Sequence, residues 1–316
     1  MNRLAIVVKA KQGVASGVYK IPEVVRLGQM LYGTPSRTAL MTAFMRAVHV
    51  RLDEPPPVLD DQLAIAFLPS PLRRYLRRRA AFPPRASLLR PADPASVAMR
   101  SQIVVRARYA EDCLAASRET GVRRYVVLGA GLDTFALRQS APVIDVLEID
   151  HPATQRWKQA LMRQRGLVTP SELTMLPVDF ERTTLAEVWP GAVEPDFISW
   201  LGTTYYLTRA SIRSTLETLR RQTVPGTEIV LDYWRGSGRS SLNPLLLGTR
   251  LAVALQGEPM RSFFSPQEME ELADRAGWRV LEHCSPAEQS RRYLAKRRDA
   301  LRVPSFAYLL RLGHPR

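Results

Sequence analysis

The chain has 316 residues, of which 45 are basic and 30 acidic, so its formal net charge at pH 7 is +15. Hydrophobic residues make up 46% of it, which excludes disorder along the whole chain, and the length predicts one large domain or two smaller ones. The positive charge indicates nucleic acid or an acidic ligand as a partner. Most of the excess lies in residues 1–120, whereas residues 121–240 are nearly neutral.

Cysteine, histidine and hydropathy patterns exclude several classes of protein. Cys113 and Cys284 lie far apart and the four histidines show no HExxH spacing, so neither a disulfide framework nor a metal site is expected. The apolar run Leu4–Val8 is shorter than the ~7–15 residues of a secretory signal. Polar residues and a proline interrupt Leu242–Leu255, which also falls short of the ~20 apolar residues of a membrane span. We therefore expect a soluble, cytoplasmic protein.

The first third of the chain predicts helices. Apolar residues recur at helical spacing over residues 34–50 and 97–120, and Ser36 is placed to cap the first of these helices. The most basic segment, residues 73–91, indicates a solvated helix face followed by a loop. We expect residues 1–120 to form a helical extension that belongs to the same domain as the rest.

Strands and helices alternate from residue 121 onward. Five apolar strands are predicted at residues 123–131, 143–150, 173–180, 196–202 and 226–234. The segments WRVLEHC and SFAYLLRL, near the end of the chain, predict two further strands. This alternation predicts an α/β core over residues 121–316, with a mostly parallel sheet covered by helices on both faces. Residues 235–262 are interpreted as a lid inserted over the carboxyl edge of the sheet.

The segment VVLGAGLDT carries the most informative motif. Here a strand runs into Gly129-Ala130-Gly131 and then into a helix, so the backbone can turn tightly and approach a ligand at the helix N-terminus. The second strand ends at Glu148-Ile149-Asp150, where an acid is suited to hold the two hydroxyl groups of a ribose. At the end of the third strand, Asp179 is placed to accept a hydrogen bond from an adenine amino group, with Phe180 beside the ring. Asp179 is equally suited to cap the helix that follows.

The identity of the nucleoside ligand follows from what the motif lacks. A dinucleotide fingerprint, GxGxxG, has a third glycine where this chain has Thr134, and the chain has no P-loop. S-adenosylmethionine has a ribose but no phosphate, and it is the common ligand that remains.

Eight segments together resemble a known family. They are SRTALMTAFMRA, VVRARYAED, VVLGAGLDTFALR, VLEIDHPATQRWKQ, LPVDF, SWLGTTYYLTRASI, VLDYW and FFSPQEMEELADRAGW. They resemble the leucine carboxyl methyltransferase superfamily, and within it the bacterial branch of S-adenosylmethionine-dependent O-methyltransferases, which includes polyketide O-methyltransferases. The resemblance covers residues 34–312. It implies a Rossmann-like class I methyltransferase fold with a seven-stranded, mostly parallel sheet, an N-terminal helical extension and an inserted lid.

The resemblance also implies roles for individual residues. Arg106 corresponds to the arginine that binds the methionine carboxylate of the cofactor, and Arg46, on the first helix, corresponds to a basic residue of the family. The glycine loop implies cofactor contacts for Gly129, Ala130 and Gly131. By the same resemblance Asp150 holds the ribose and Asp179-Phe180 lies on the adenine side. The phosphatase-directed enzymes have a glutamate where this chain has Leu201, so we do not expect phosphatase as the substrate.

These observations predict methyl transfer to a carboxylate or an acidic hydroxyl of an anionic small molecule, as in natural product biosynthesis. A carboxylate is ionised at neutral pH, so no general base is required and no catalytic residue is assigned. Tyr205 and Tyr206 either form a wall of the acceptor pocket or pack under the lid. His151 is expected to be structural. The alternatives are an RNA methyltransferase or basic nucleic-acid-binding protein, which the run RRYLRRR suggests, and a non-enzymatic protein that binds the cofactor.

Overall fold

The computed structural model describes most of the chain after residue 36. The described residues are 37–81, 94–179, 183–189, 194, 196–236, 246–247, 260–299 and 301–315. Of the predicted lid, only residues 235–236, 246–247 and 260–262 are among them, so the lid as such lies outside the described residues.

Seven strands in the described part of the chain form one sheet. They are β1 (Arg124–Leu128), β2 (Asp145–Asp150), β3 (Leu173–Pro177), β4 (Asp196–Trp200), β5 (Glu228–Trp234), β6 (Arg279–Cys284) and β7 (Ala307–Gly313). The strand order is β3-β2-β1-β4-β5-β7-β6. The first five strands in this order run parallel, and β7 lies antiparallel between β5 and β6. The predicted seven-stranded, mostly parallel sheet of a Rossmann-like class I fold is therefore confirmed.

Helices precede the sheet and connect its strands. They are α1 (Arg37–Leu52), α2 (Ser70–Ala80), α3 (Pro94–Glu119), α4 (Phe135–Arg138), α5 (Pro152–Gln164), α6 (Leu185–Val188), α7 (Arg209–Gln222), α8 (Pro266–Arg275) and α9 (Pro286–Tyr293). Two short 3₁₀ helices lie at Gln62–Phe67 and Thr204–Tyr206.

Local signals in the sequence explain where several of these helices begin. At α8, Ser265 accepts a hydrogen bond from the backbone N–H of Glu268, whose side chain in turn accepts from the Ser265 backbone, and Pro266 occupies the first position. At α7, the hydroxyl of Thr208 accepts from the backbone N–H of Ser211. Each cap satisfies N–H groups that have no partner inside the helix.

Both faces of the sheet are covered. One face packs against α7 and α8 through Ile212, Leu216 and Met269, and the other packs against α3 through Tyr109 and Leu114. Burial on both sides requires apolar side chains at successive strand positions, as at the buried residues Val126, Val127 and Leu128 of β1. Each of these large apolar side chains contributes about 1.5–3 kcal/mol when it is removed from water.

The helices α1 and α3 lie at the carboxyl edge of the sheet. α1 packs against α3 and against the 3₁₀ helix Gln62–Phe67, and α3 also contacts β4 and β5. On α2, Leu72 and Leu76 are buried, whereas Arg74, Arg77 and Arg78 are exposed. The basic helix thus has the solvated face that the sequence indicates, while the loop predicted after it lies outside the described residues.

Neither a membrane helix nor a metal-binding group is found in the described residues. None of their helices is long and apolar enough to cross a bilayer. Groups of histidine, cysteine and acidic residues that could hold a metal ion are likewise not found there. Cys113 and Cys284 are both buried as free thiols.

Candidate functional site

A cavity of about 400 Å³ opens at the carboxyl edge of β1, β2 and β4. Its walls come from the loop after β1, the end of β2, the segment after β4, and the helices α1 and α3. This is the edge at which open α/β sheets bind their ligands. Of the predicted site residues, the structure brings seven together here: Arg46, Arg106, Gly129, Ala130, Gly131, Asp150 and Tyr206.

The glycine loop folds back over the end of β2. The backbone N–H of Gly129 donates to the carbonyl of Ile149 at 2.8 Å. Gly129 and Gly131 have φ angles of +70° and +55°, a region that residues with a Cβ rarely adopt. A Cβ at Gly129 would lie 2.7 Å from Cγ2 of Thr203, and one at Gly131 would lie 3.1 Å from Cβ of Ala39. Both glycines are therefore needed for the close approach of three chain segments.

Asp150 lies between the glycine loop and the start of α5. Its Oδ2 accepts from the backbone N–H of Gly131 at 2.5 Å, and its Oδ1 accepts from the N–H of His151 at 2.6 Å. Burial raises the pKa of this carboxyl, against the lowering effect of the two backbone donors. The His151 side chain accepts from the N–H of Ala153 and so caps α5. The carboxylate of Asp150 is thus fixed in orientation and borders the cavity.

Arg106 is buried and held by a network that spans α3, β4 and β5. Its Nη1 donates to Oδ2 of Asp232 at 2.9 Å and to the hydroxyl of Tyr205 at 3.1 Å. The other carboxylate oxygen of Asp232 accepts from the backbone N–H of Gly202 at 2.6 Å. Burial acts to lower the pKa of Arg106, but Tyr205 and Asp232 outweigh it and raise that pKa above its usual range. The guanidinium therefore stays charged inside the cavity.

The absence of a side chain at Gly202 lets Arg106 of the same network approach the backbone closely. A Cβ at this position would lie 2.7 Å from Nη2 of Arg106, and the φ angle of Gly202 is +79°. The planar guanidinium consequently lies directly on the backbone at the end of β4.

Arg46 extends from α1 to the cavity and forms a hydrogen bond with the chain just after the glycine loop. Its Nη2 donates to the carbonyl of Leu132 at 2.6 Å, and its Nη1 forms an ion pair with Oδ2 of Asp61 at 3.1 Å. Asp61 in turn caps the 3₁₀ helix by accepting from the N–H of Ala64. Arg46 thus joins the N-terminal helices to the loop after β1.

The two tyrosines after β4 have different surroundings. Tyr206 borders the cavity. Tyr205 lies behind Arg106, where its hydroxyl accepts from the guanidinium and its ring packs against Trp234 at a centroid distance of 4.8 Å. Of the two predicted wall residues, only Tyr206 borders the cavity.

The structure corrects the expectation for Glu148. This side chain is buried and its two oxygens accept from Nζ of Lys158 at 2.7 and 2.6 Å. Glu148 lies two residues before the end of β2, and its carboxylate is neutralised by a lysine of α5 instead of bordering the cavity. Of these two acids, only Asp150 borders the cavity.

The predicted adenine-side pair is only partly described. Asp179 follows β3, is half-buried and does not border the cavity, and its backbone carbonyl accepts from the N–H of Thr183 at 2.9 Å. Phe180 lies outside the described residues.

Several residues of the site were not found from the sequence. They are Glu111, Gly202, Thr203, Asp232 and Arg261. Asp232 carries a recognisable signal, because a carboxylate within the buried strand EIVLDYW requires a partner. Burial raises the pKa of Glu111, although Nη2 of Arg138 donates to its carboxylate at 2.6 Å and opposes the shift.

Comparison with known proteins identifies relatives. Residues 39–220 match the family model described as leucine carboxyl methyltransferase. YktD of Bacillus subtilis, named as a candidate S-adenosyl-L-methionine-dependent methyltransferase, is 31% identical over an alignment of 288 positions that covers 84% of this chain and 93% of YktD. A protein of Mycobacteroides abscessus with the same description is 31% identical over an alignment of 206 positions that covers 62% of this chain and 63% of the relative.

Solved structures provide more distant likenesses. The S-adenosylmethionine-dependent methyltransferase SibL in its apo form has a TM-score of 0.46 at 14% identity, over 93% of this chain and 74% of SibL. A DUF574 family protein of Streptomyces avermitilis has a TM-score of 0.47 at 15% identity, over 71% of this chain and 86% of its own length. At these values the likenesses say nothing about substrate.

The family match covers more than half of the chain, and YktD aligns along nearly its whole length. The names of the relatives carry the cofactor that the sequence predicts, S-adenosylmethionine, so both the predicted cofactor and the predicted family are confirmed at this level. This chain belongs to the leucine carboxyl methyltransferase family.

Proposed function

We propose that this protein is an S-adenosylmethionine-dependent O-methyltransferase that methylates a carboxylate or an acidic hydroxyl of a small molecule, in secondary metabolism. The observation that carries the proposal is the convergence of Arg106, the glycine loop and Asp150 on one cavity. In this proposal Arg106 binds the methionine carboxylate, the backbone of the glycine loop contacts the adenosine, and Asp150 binds the ribose hydroxyls. A volume of about 400 Å³ suits small molecules.

The residues present fit this cofactor. Arg106 uses Nη1 for Asp232 and Tyr205, so the rest of its guanidinium is available for the methionine carboxylate. Thr203 and Gly202 border the same cavity, and the guanidinium of Arg106 lies on the backbone of Gly202.

The reaction needs orientation more than proton transfer. S-adenosylmethionine supplies an electrophilic methyl group on a sulfonium. The acceptor oxygen forms its bond to this carbon as the carbon–sulfur bond breaks, and the electron pair of that bond stays on sulfur. A carboxylate acceptor is already ionised at neutral pH, so the protein's part is to align the two reactants and exclude water. Tyr206 and Thr203, which follow β4, border the space where the acceptor oxygen would lie.

The family itself supports a carboxylate as the acceptor, since the matching model is described by carboxyl methylation. Leu201 borders the cavity, and the sequence has no glutamate there of the kind found in the phosphatase-directed enzymes. For these reasons we propose a small-molecule carboxylate in preference to a protein C-terminus.

Two measurements test the proposal. Calorimetry with S-adenosylhomocysteine should show saturable one-site binding. Incubation with methyl-labelled S-adenosylmethionine and a small-molecule extract should then give labelled products that lose their label in mild base, as methyl esters do and ethers do not. Base-stable products would identify the acidic hydroxyl as the acceptor. Absence of binding, or label found only in added RNA, would contradict the proposal.

A further inference from the structure

Three arginines of the described residues border the cavity, and they differ in how their charges are balanced. Arg46 forms an ion pair with Asp61 at 3.1 Å, and Arg106 forms one with Asp232 at 2.9 Å. Both side chains are buried. The third, Arg261, forms no ion pair with a carboxylate of the described residues, and its side chain is exposed. The cavity therefore has one cation whose charge the described protein does not neutralise.

The backbone holds Arg261 at this position. Its N–H donates to the carbonyl of Tyr205 at 2.7 Å, and the hydroxyl of Ser262 donates to the carbonyl of Leu207 at 2.5 Å. Two residues later, the N–H of Phe264 donates to the carbonyl of Trp234 at 3.1 Å. The segment around Arg261 is thus attached to the chain after β4 and to the end of β5, so its side chain borders the cavity on the same side as Tyr206.

Arg106 and Arg261 occupy different parts of the cavity wall. Arg106 is 7% exposed and lies on the backbone of Gly202. Arg261 is exposed at the mouth. One anion, the methionine carboxylate, is accounted for by Arg106. A second anion that enters beside Tyr206 would meet Arg261.

We propose that Arg261 is the specificity-determining residue that selects a carboxylate-bearing acceptor and orients it for methyl transfer. This inference rests on the proposed function. Its guanidinium forms a charge-assisted hydrogen bond to one oxygen of the acceptor carboxylate, and the other oxygen attacks the methyl carbon. The new carbon–oxygen bond forms as the carbon–sulfur bond breaks, which turns a carboxylate and a sulfonium into a neutral ester and a neutral thioether.

This charge balance also explains how the product would leave. The ester no longer carries the negative charge that Arg261 binds, so the acceptor product loses its strongest contact at the moment it forms. Substrate is retained more strongly than product by the same residue.

The test compares Arg261→Gln and Arg261→Lys with a matched control, Arg275→Gln. Arg275 is an exposed arginine of α8 with a side chain 73% exposed, and it does not border the cavity. The probe is the carboxylic acid fraction of the small-molecule extract, supplied over a series of dilutions with labelled S-adenosylmethionine. Initial rates of base-labile label give the half-saturating dilution for each protein.

We expect Arg261→Gln to need about tenfold more acceptor for half-saturation, since it loses a charge-assisted hydrogen bond, whereas Arg261→Lys keeps the charge and loses less. Affinity for S-adenosylhomocysteine should stay within about twofold of the wild type. The amount of acceptor that half-saturates the wild type should rise with salt more than the amount that half-saturates Arg261→Gln.

The outcomes separate the two proposals. If the wild type is active and Arg261→Gln has the same half-saturating dilution, the role of Arg261 is overturned but the proposed function is not. Weaker binding of S-adenosylhomocysteine by Arg261→Gln would also overturn it, because Arg261 would then belong to the cofactor site. A wild type that labels no acid overturns the proposed function, and this inference with it.

Discussion

The methyl group of Thr203 occupies the place that a side chain at Gly129 would need. An added Cβ would lie 2.7 Å from Cγ2 of Thr203, a separation that side-chain carbons essentially never show. The contact joins the loop after β1 to the segment after β4, the two parts of the sheet edge between which the cavity opens. A shift in the backbone of the loop after β1 therefore requires a shift in the segment after β4.

This contact predicts that Gly129→Ala weakens binding of S-adenosylhomocysteine at least about tenfold, since a 1.4 kcal/mol loss is already tenfold. The added methyl group must push the loop or the segment out of place, on top of the backbone cost of a φ angle of +70°. Calorimetry on the purified variant measures the affinity.

Gly166→Ala is the matched control for this prediction. Gly166 has a φ angle of +65°, but nothing lies within 4 Å of its Cβ position, so only the backbone cost of about 1–2 kcal/mol applies. Changing Thr203→Ser in the Gly129→Ala background removes Cγ2 and should restore part of the affinity. Equal affinities for Gly129→Ala and Gly166→Ala would show that the contact does not matter.

A second prediction concerns Arg106. Arg106→Lys should weaken S-adenosylhomocysteine binding about tenfold or more, because one ammonium cannot serve Asp232, Tyr205 and a ligand carboxylate in the geometry of a planar guanidinium. Arg108→Lys is the control: Arg108 lies on the same helix, its side chain is 48% exposed, and it pairs with Asp112. Both affinities are measured by calorimetry, and indistinguishable effects of the two changes would remove Arg106 from the site.

A third prediction concerns the buried pair of Glu148 and Lys158. Lys158→Met leaves an uncompensated charge in the core and should lower the free energy of unfolding by about 3–5 kcal/mol, as measured in urea. The double variant Glu148→Gln with Lys158→Met should recover most of this loss. The exposed pair of Arg275 and Glu271 is the control, and Arg275→Met should cost less than about 1 kcal/mol.

The same double variant tests whether Glu148 takes part in ligand binding. Because the carboxylate of Glu148 is turned toward Lys158, the folded double variant should bind S-adenosylhomocysteine as tightly as the wild type. A large loss of affinity with stability retained would return Glu148 to the cofactor site.

A fourth prediction concerns the reactivity of the two cysteines. Burial raises the pKa of Cys113 to about 11 and that of Cys284 to about 12, and the neighbouring arginines only partly oppose the shift. The thiolate is the reactive form, so at pH 8 both thiols should remain protonated and resist a thiol-specific colour reagent. Unfolding in urea should release two reactive thiols per chain. Rapid, stoichiometric labelling of the native protein at pH 8 would contradict this.

The parts of the site that the sequence predicts are those carried by local motifs. Gly129 and Gly131 follow an apolar strand, and Asp150 ends the next one, so neighbouring parallel strands place them together by topology alone. Arg106 could be assigned only through resemblance to a family, because nothing in its local sequence distinguishes it from Arg108.

The remaining parts depend on contacts between distant elements. Glu148 and Asp150 are two acids near one strand end, and only the crossing of α5, with Lys158, decides which of them is neutralised. Tyr205 and Tyr206 are adjacent, and the 3₁₀ helix after β4 turns one toward Trp234 and the other toward the cavity. Such choices are made by tertiary packing and leave no periodic signal.

One wall of the cavity is built from α1, through Thr38, Ala39, Thr42 and Arg46. A fragment beginning at residue 121 would carry the glycine loop and Asp150 but would leave both open to water on that side. The helices α1 and α3 and the edge of the sheet therefore form one cavity, and any ligand that fills it must stabilise these elements together by mass action. The α/β core alone therefore does not form the complete cavity, because α1 supplies one of its walls.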